Sequence, residues 1–147
     1  MKLAPTLLTF EEYRALGDKA VADGMWRNDK RVFLPGMGWF NDWYLDRDLG
    51  RDFLSPHYYR DWAGKRPPIE LVCPNGEIWC IDRKSSNGDG WQVTGEWPNI
   101  TCSPSIIAGD YHGWLRNGEF TADIDGKSWP IPNIGPDYGR GAKSDEA

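Results

Sequence analysis

The chain has 147 residues, with 22 acidic and 17 basic side chains for a net charge of −5, and only three cysteines beside nine Trp, six Tyr and five Phe. That length suits one domain in which about two thirds of the unfolded chain's surface is buried. The charge disfavours general nucleic-acid binding, which needs concentrated Lys and Arg; "RNDKR" (Arg27 to Arg31) mixes signs.

No window approaches the roughly 18 apolar residues of a membrane span. "MKLAPTLLTFEEY" carries no signal-peptide cleavage pattern, so a soluble protein is expected. Three cysteines cannot all pair within one chain, which points to a reducing, cytosolic setting. Aliphatic residues are scarce, so the core is expected to be built from rings. Trp and Tyr carry polar atoms that need partners when buried, so such a core commits the fold to specific hydrogen bonds.

In chain order, "LTFEEYRALGDKAVADG" reads as a helix. Thr9 and Glu12 make a capping box, Phe10, Tyr13, Leu16, Ala20 and Val21 form one apolar stripe, and Gly24 takes the left-handed terminal position. Gly17 weakens its interior by up to about 1 kcal/mol. Residues 25–54 fit a packed loop or short strands, and irregular structure pinned by Trp39, Trp43 and Tyr44 is expected. "SPHYYRDWAGKRPP" reads as a short helix capped by Ser55, with Pro56 in its first turn and Gly64 at its end.

From Ile69 onward the pattern is β. "IELVC" and "EIWCID" flank the turn "PNG" (Pro74 to Gly76), a strong hairpin signal. "RKSSNGDG" (Arg83 to Gly90) is a polar loop, and "WQVTG" and "EWPNITCSPSI" lead through two further strands. Pro98 and Pro104 cannot donate to a ladder and belong at strand ends, edges or bulges. "YHGWLR-NG-EFTADI" is a second Asn-Gly hairpin, Tyr111 to Ile124. The expected fold is α+β: a single domain over 1–132, with a helical part at about 1–66 packed on a small, mainly antiparallel sheet at about 69–130, and a flexible tail at 133–147.

Four constellations could carry chemistry. Cys73, Cys80, Cys102 and His112 form a Cys₃His zinc set in principle. Zinc knuckles place two ligands two to four residues apart, whereas six residues separate Cys73 from Cys80, so buried packing is the preferred reading and no metal or cofactor is expected. Cys102, Ser103 or Ser105 could be activated by His112 and oriented by Asp110 or Asp82, but no nucleophile-elbow pattern accompanies them, and His57 is the only other histidine. "SSNGDG" (Ser85 to Gly90) could cradle a phosphate, yet it precedes a strand rather than a helix, and Asp89 would repel an anion. Trp26, Trp39, Trp43, Tyr58, Tyr59 and Trp62 crowd the N-terminal half, either as core or as a binding patch. In the strand from Tyr111 to Arg116, alternation sets Tyr111, Gly113 and Leu115 on one face and His112, Trp114 and Arg116 on the other. His112, Trp114, Arg116, Trp39 and Trp43 are therefore the candidate binding residues.

The blocks "LSPHYYRDWAGKRPPI", "PNGEIWCID", "SSNGDGWQVTGEWPNITCSPSI" and "YHGWLRNGEF", in that order, resemble a family of small proteins encoded by tailed bacteriophages and prophages. The resemblance covers about half the chain, Leu54 to Gly126. It implies a phage gene product acting in the host bacterial cytoplasm and implies no activity. Some related bacterial domains carry a Cys-rich knuckle, and "VCPNGEIWC" lacks its close Cys pair. The expected function is that of a non-enzymatic accessory protein that binds another protein, either a host defence component or a phage protein. The alternatives are a virion decoration or assembly protein, and a small zinc- or His112-dependent enzyme.

Overall fold

A computed structural model describes residues 1–40, 69–81, 91–133 and Tyr138. The expected helix at Ser55–Gly64, the loop at 83–90, Trp43, Tyr44, His57, Tyr58, Tyr59, Trp62 and Asp82 lie outside the described residues. The fold is α+β, with one helix and two antiparallel sheets among the described residues. In chain order the elements are α1 (Phe10–Ala22), β1 (Gly38–Phe40), β2 (Ile69–Val72), β3 (Ile78–Cys80), β4 (Gln92–Thr94), β5 (Thr101–Ala108), β6 (Tyr111–Arg116) and β7 (Glu119–Phe120). The strands form a three-stranded sheet, β1-β2-β3, and a four-stranded sheet, β4-β5-β6-β7.

Helix α1 begins and ends on its side chains and caps. Thr9 Oγ1 accepts from the Glu12 amide and Glu12 Oε1 from the Thr9 amide, both at 3.1 Å. At the other end Gly24, at φ +84°, donates to the Val21 carbonyl, and Met25 donates to that of Ala20, closing the terminal turn. The buried face differs from the expected stripe at two positions. Val21 is half-exposed, and Gly17 is buried because the Arg27 side chain crosses it: a Cβ there would stand 2.9 Å from Arg27 Cγ. Gly17 thus admits Arg27, which pairs with Asp18 at 2.6 Å.

Register explains the layering. Gly38, Leu71 and Trp79 lie opposite one another across the three-stranded sheet, as do Phe40 with Ile69. Trp39, Glu70 and Cys80 form the alternate row. The first set, with Cys73 and Ile81, packs with Ile100, Cys102, Ile106, Tyr111, Leu115 and Phe120 from the four-stranded half. On the other side, Trp39 and Val72 pack with Ala20 of α1, Phe33 and Met37. The three-stranded sheet is therefore a middle layer, covered by α1 and its following loop on one face and by the second sheet on the other.

Irregular chain is expected across 25–54, yet Gly38–Phe40 pairs with β2, because Trp39 has a fixed place beside Glu70. Its Nε1 donates to Glu70 Oε2 at 3.1 Å, Tyr13 stacks on it at 4.3 Å, and Phe33 lies at 5.2 Å. The N-terminal segment, without a strand signal in the sequence, joins both sheets. Lys2 bridges to Glu119, and Leu8 bridges to Trp39.

A second tie is Asn75. Its Nδ2 donates to the Ala108 carbonyl at 2.7 Å, and its Oδ1 accepts from the Glu77 amide, so the β2–β3 turn is fastened to the end of β5. Pro104 sits where β5 slips register: Cys102 faces Leu115 and Ile106 faces Gly113, so four residues along β5 span two along β6. The bulge preserves side-chain parity and keeps Cys102, Ile106 and Ala108 inward.

Three substitutions test this packing by urea unfolding. Trp39→Ala is expected to cost about 3–5 kcal/mol, Thr9→Ala about 1 kcal/mol, and Asn75→Ala about 1–3 kcal/mol because it removes the buried bond to the Ala108 carbonyl.

Candidate functional site

Strand β6 alternates as its sequence predicts. Tyr111, Gly113 and Leu115 are buried, His112 and Trp114 are half-buried, and Arg116 is exposed. The three outer side chains form a continuous ladder. The His112 and Trp114 rings are inclined by 28° with centroids 6.4 Å apart, and the Arg116 guanidinium lies over the Trp114 ring at 4.9 Å. Cation–π attraction of this kind is worth about 0.5–1 kcal/mol at an exposed site and holds the long Arg side chain in one place. Ile107, opposite His112 on β5, is 61 % exposed and extends the apolar part of the face. Alternation with buried Ile106 and Ala108 carries the signal for Ile107.

The inner side of β6 fixes that face. The Tyr111 ring folds along its own strand over Gly113, and its hydroxyl donates to the Thr121 carbonyl at 2.8 Å. Any Cβ at position 113 would collide with that hydroxyl, so glycine is required there. Burial pushes the Tyr111 phenol up from its ordinary pKa.

Along its other edge, β6 is bonded by side chains. The Trp114 amide donates to Thr121 Oγ1 at 2.9 Å and the His112 amide to Asp123 Oδ1 at 2.8 Å. Asp123 Oδ2 also accepts from the amides of Asp125 and Lys127. Beyond Phe120, at the end of β7, side-chain oxygens thus take the β6 amides, while the Trp114 and His112 carbonyls still accept from the Thr121 and Ile124 amides. Burial pushes the Asp123 carboxyl up, but the amides of His112, Lys127 and Asp125, with the charge of Lys127, hold it below the usual carboxylate range. At the turn, Asn117 and Gly118 have φ of +48° and +77°. A Cβ on Gly118 would collide with the Pro98 carbonyl, so its glycine serves close approach as well as the turn.

The other predicted residues do not converge. Cys80 shares the helix-side face with Trp39 and Glu70, Cys73 and Cys102 lie between the sheets, and His112 is on the outer face of the second sheet. Among the described residues no group of three or more His, Cys, Asp or Glu side chains could hold a metal ion. Burial pushes the thiols of Cys73 and Cys102 far up, so neither is a thiolate. Of the predicted hydroxyl–base pairs the structure does bring Ser105 to His112, with Oγ 3.4 Å from Nε2. Asp123 bonds the His112 main chain and so does not orient its imidazole. Ser103 is exposed on β5 and Asp110 is exposed in the β5–β6 turn.

Trp39 is 1 % exposed and belongs to the core, which removes it from the surface set; Trp26 is 84 % exposed. No helix among the described residues is long and apolar enough to cross a membrane. No protein-family model, curated protein or solved structure matches the chain.

The Asp123 bonds carry a pH dependence of definite sign. Its pKa in the folded chain lies below the roughly 3.9 of an unfolded Asp, so the unfolded chain takes up its proton first as pH falls. The stabilisation is complete above about pH 3.9 and is lost as pH drops through the folded value. Urea midpoints measured between neutral pH and about pH 3 should therefore fall more steeply for the wild type than for Asp123→Asn, which should be the less stable protein at neutral pH.

Proposed function

We propose that the protein is a phage-encoded, non-enzymatic accessory protein that works by binding another protein through the outer face of β5 and β6. The observation that carries this reading is the ordered ladder of His112, Trp114 and Arg116 beside exposed Ile107. Trp and Arg are the residue types most enriched in binding hot spots. A side chain held in place before contact loses less entropy on binding. The resemblance of the 54–126 stretch to phage and prophage proteins supports a role in the infected host's cytoplasm, with a host defence component or a phage assembly protein as the target.

Affinity capture from infected-cell lysate tests the reading, with Trp114→Ala and Arg116→Ala beside the wild type. The wild type should recover a stoichiometric partner. Either truncation should weaken the purified pair by about 2 kcal/mol, roughly thirtyfold in Kd, while lowering the unfolding free energy by no more than about 1 kcal/mol. Equal capture by both variants would move binding away from this face. A measurable turnover with no stoichiometric partner would overturn the reading. Stoichiometric presence in purified particles would reassign the protein to the virion.

A further inference from the structure

Tyr138 stands far from α1 in sequence, yet its side chain is among the most deeply buried in the protein, at 1 % exposure. It belongs to the apolar cluster of Ala20, Phe33, Met37 and Trp39. Its hydroxyl donates to Asp23 Oδ2 at 2.6 Å, the length of a strong bond to an ionised acceptor. Lys19 Nζ lies over its ring, 4.9 Å from the centroid, and is itself tied to Asp23 Oδ2 at 3.3 Å. One turn of α1 thus supplies a cation for the ring face and an anion for the hydroxyl, while the cluster supplies apolar walls.

Asp23 is an unexpected residue at this place. It occupies the C-terminal cap of α1, where the helix dipole disfavours negative charge. The i,i+4 pair with Lys19 offsets part of that cost, and the Tyr138 hydroxyl supplies a second, long-range partner. The Tyr138 hydroxyl, followed by Lys19, holds the Asp23 carboxyl below the usual range.

We propose that the C-terminal end of α1 is a recognition pocket for a para-substituted phenol, occupied in this chain by its own Tyr138. The apolar walls select a six-membered ring, Lys19 binds its face and Asp23 reads the hydroxyl. The ligand class is the tyrosyl side chain and small molecules that share its phenol. An apolar cavity opened by truncation stays available to a ring of matching size.

The test uses the full chain with Tyr138→Ala and the probes p-cresol and toluene, read by thermal unfolding. At saturating concentration p-cresol should raise the melting temperature of Tyr138→Ala by about 2–4 °C or more, and toluene by clearly less. Neither should move the wild type, whose pocket is full. In Tyr138→Ala/Asp23→Ala the advantage of p-cresol over toluene should vanish. No shift in a folded Tyr138→Ala protein, or equal shifts with the two probes, would overturn the proposal.

A second variant covers the case in which Tyr138→Ala does not fold. Tyr138→Phe keeps the ring and removes only the hydroxyl. Carbon NMR of the Asp23 carboxyl should then show its titration rising towards the ordinary value of about 3.9. An unchanged Asp23 titration in Tyr138→Phe would equally overturn the proposal.

Discussion

The middle sheet is buried on both faces, and much of the molecule follows from that constraint. A strand covered on one side alternates apolar and polar residues; one covered on both sides must either be apolar throughout or satisfy each polar group internally. Strand β2 does the second. Ile69 and Leu71 face the four-stranded sheet, Val72 faces α1, and Glu70, also on the helix side, receives the Trp39 indole N–H. That single bond places Trp39, and Trp39 places Tyr13 and Phe33 around it, which fixes where α1 lies. The ring-rich composition carries the same demand elsewhere. Trp97 donates to the Ala4 carbonyl and Tyr111 to that of Thr121. Trp79 alone among the described buried side chains has a nitrogen without a partner, and it packs at right angles to Trp91 with centroids 5.0 Å apart. The indoles are served case by case: Trp39 by a carboxylate and Trp97 by a backbone carbonyl.

The same constraint makes the outer face of the second sheet available. Its inner face is committed to the middle layer through Cys102, Ile106, Tyr111 and Leu115. Pleating then sends His112, Trp114 and Arg116 outward. Burial of one side thus determines which residues a partner could meet. It also removes the thiols from chemistry, because the cysteines are on the committed sides of the sheets and His112 is on the open one.

How much of this could be read from the sequence depends on whether the signal was local. The capping box of Thr9 and Glu12, the two Asn-Gly turns and the alternation of β6 are contained within a few neighbouring residues, and each appears in the structure where its pattern places it. The two-sheet layering was not legible, since it rests on β1 meeting β2 across about thirty intervening residues. Lys2 pairing with Glu119 and Tyr138 reaching Asp23 are long-range for the same reason. Trp39 shows the limit within a single residue. Its type marked it as either core or binding patch, and only the position of Glu70 decides between them. Gly17 and Gly113 show it from the other side, since each glycine makes room for a side chain, Arg27 or Tyr111, whose path the sequence does not print.

The outer edge of β6 joins fold to function. A sheet edge left with unpaired amides invites another strand, and proteins close such edges in various ways. Here the segment after β7 does so: the Thr121 and Asp123 side-chain oxygens bond the amides of Trp114 and His112, and the Thr121 and Ile124 amides bond their carbonyls. Backbone pairing with a partner at this edge would have to displace a buried carboxylate that already holds three amides. Side-chain contact on the face needs no such rearrangement. The bonds that close the edge therefore favour recognition through the Trp114 face over strand addition, and they hold that face in a single conformation.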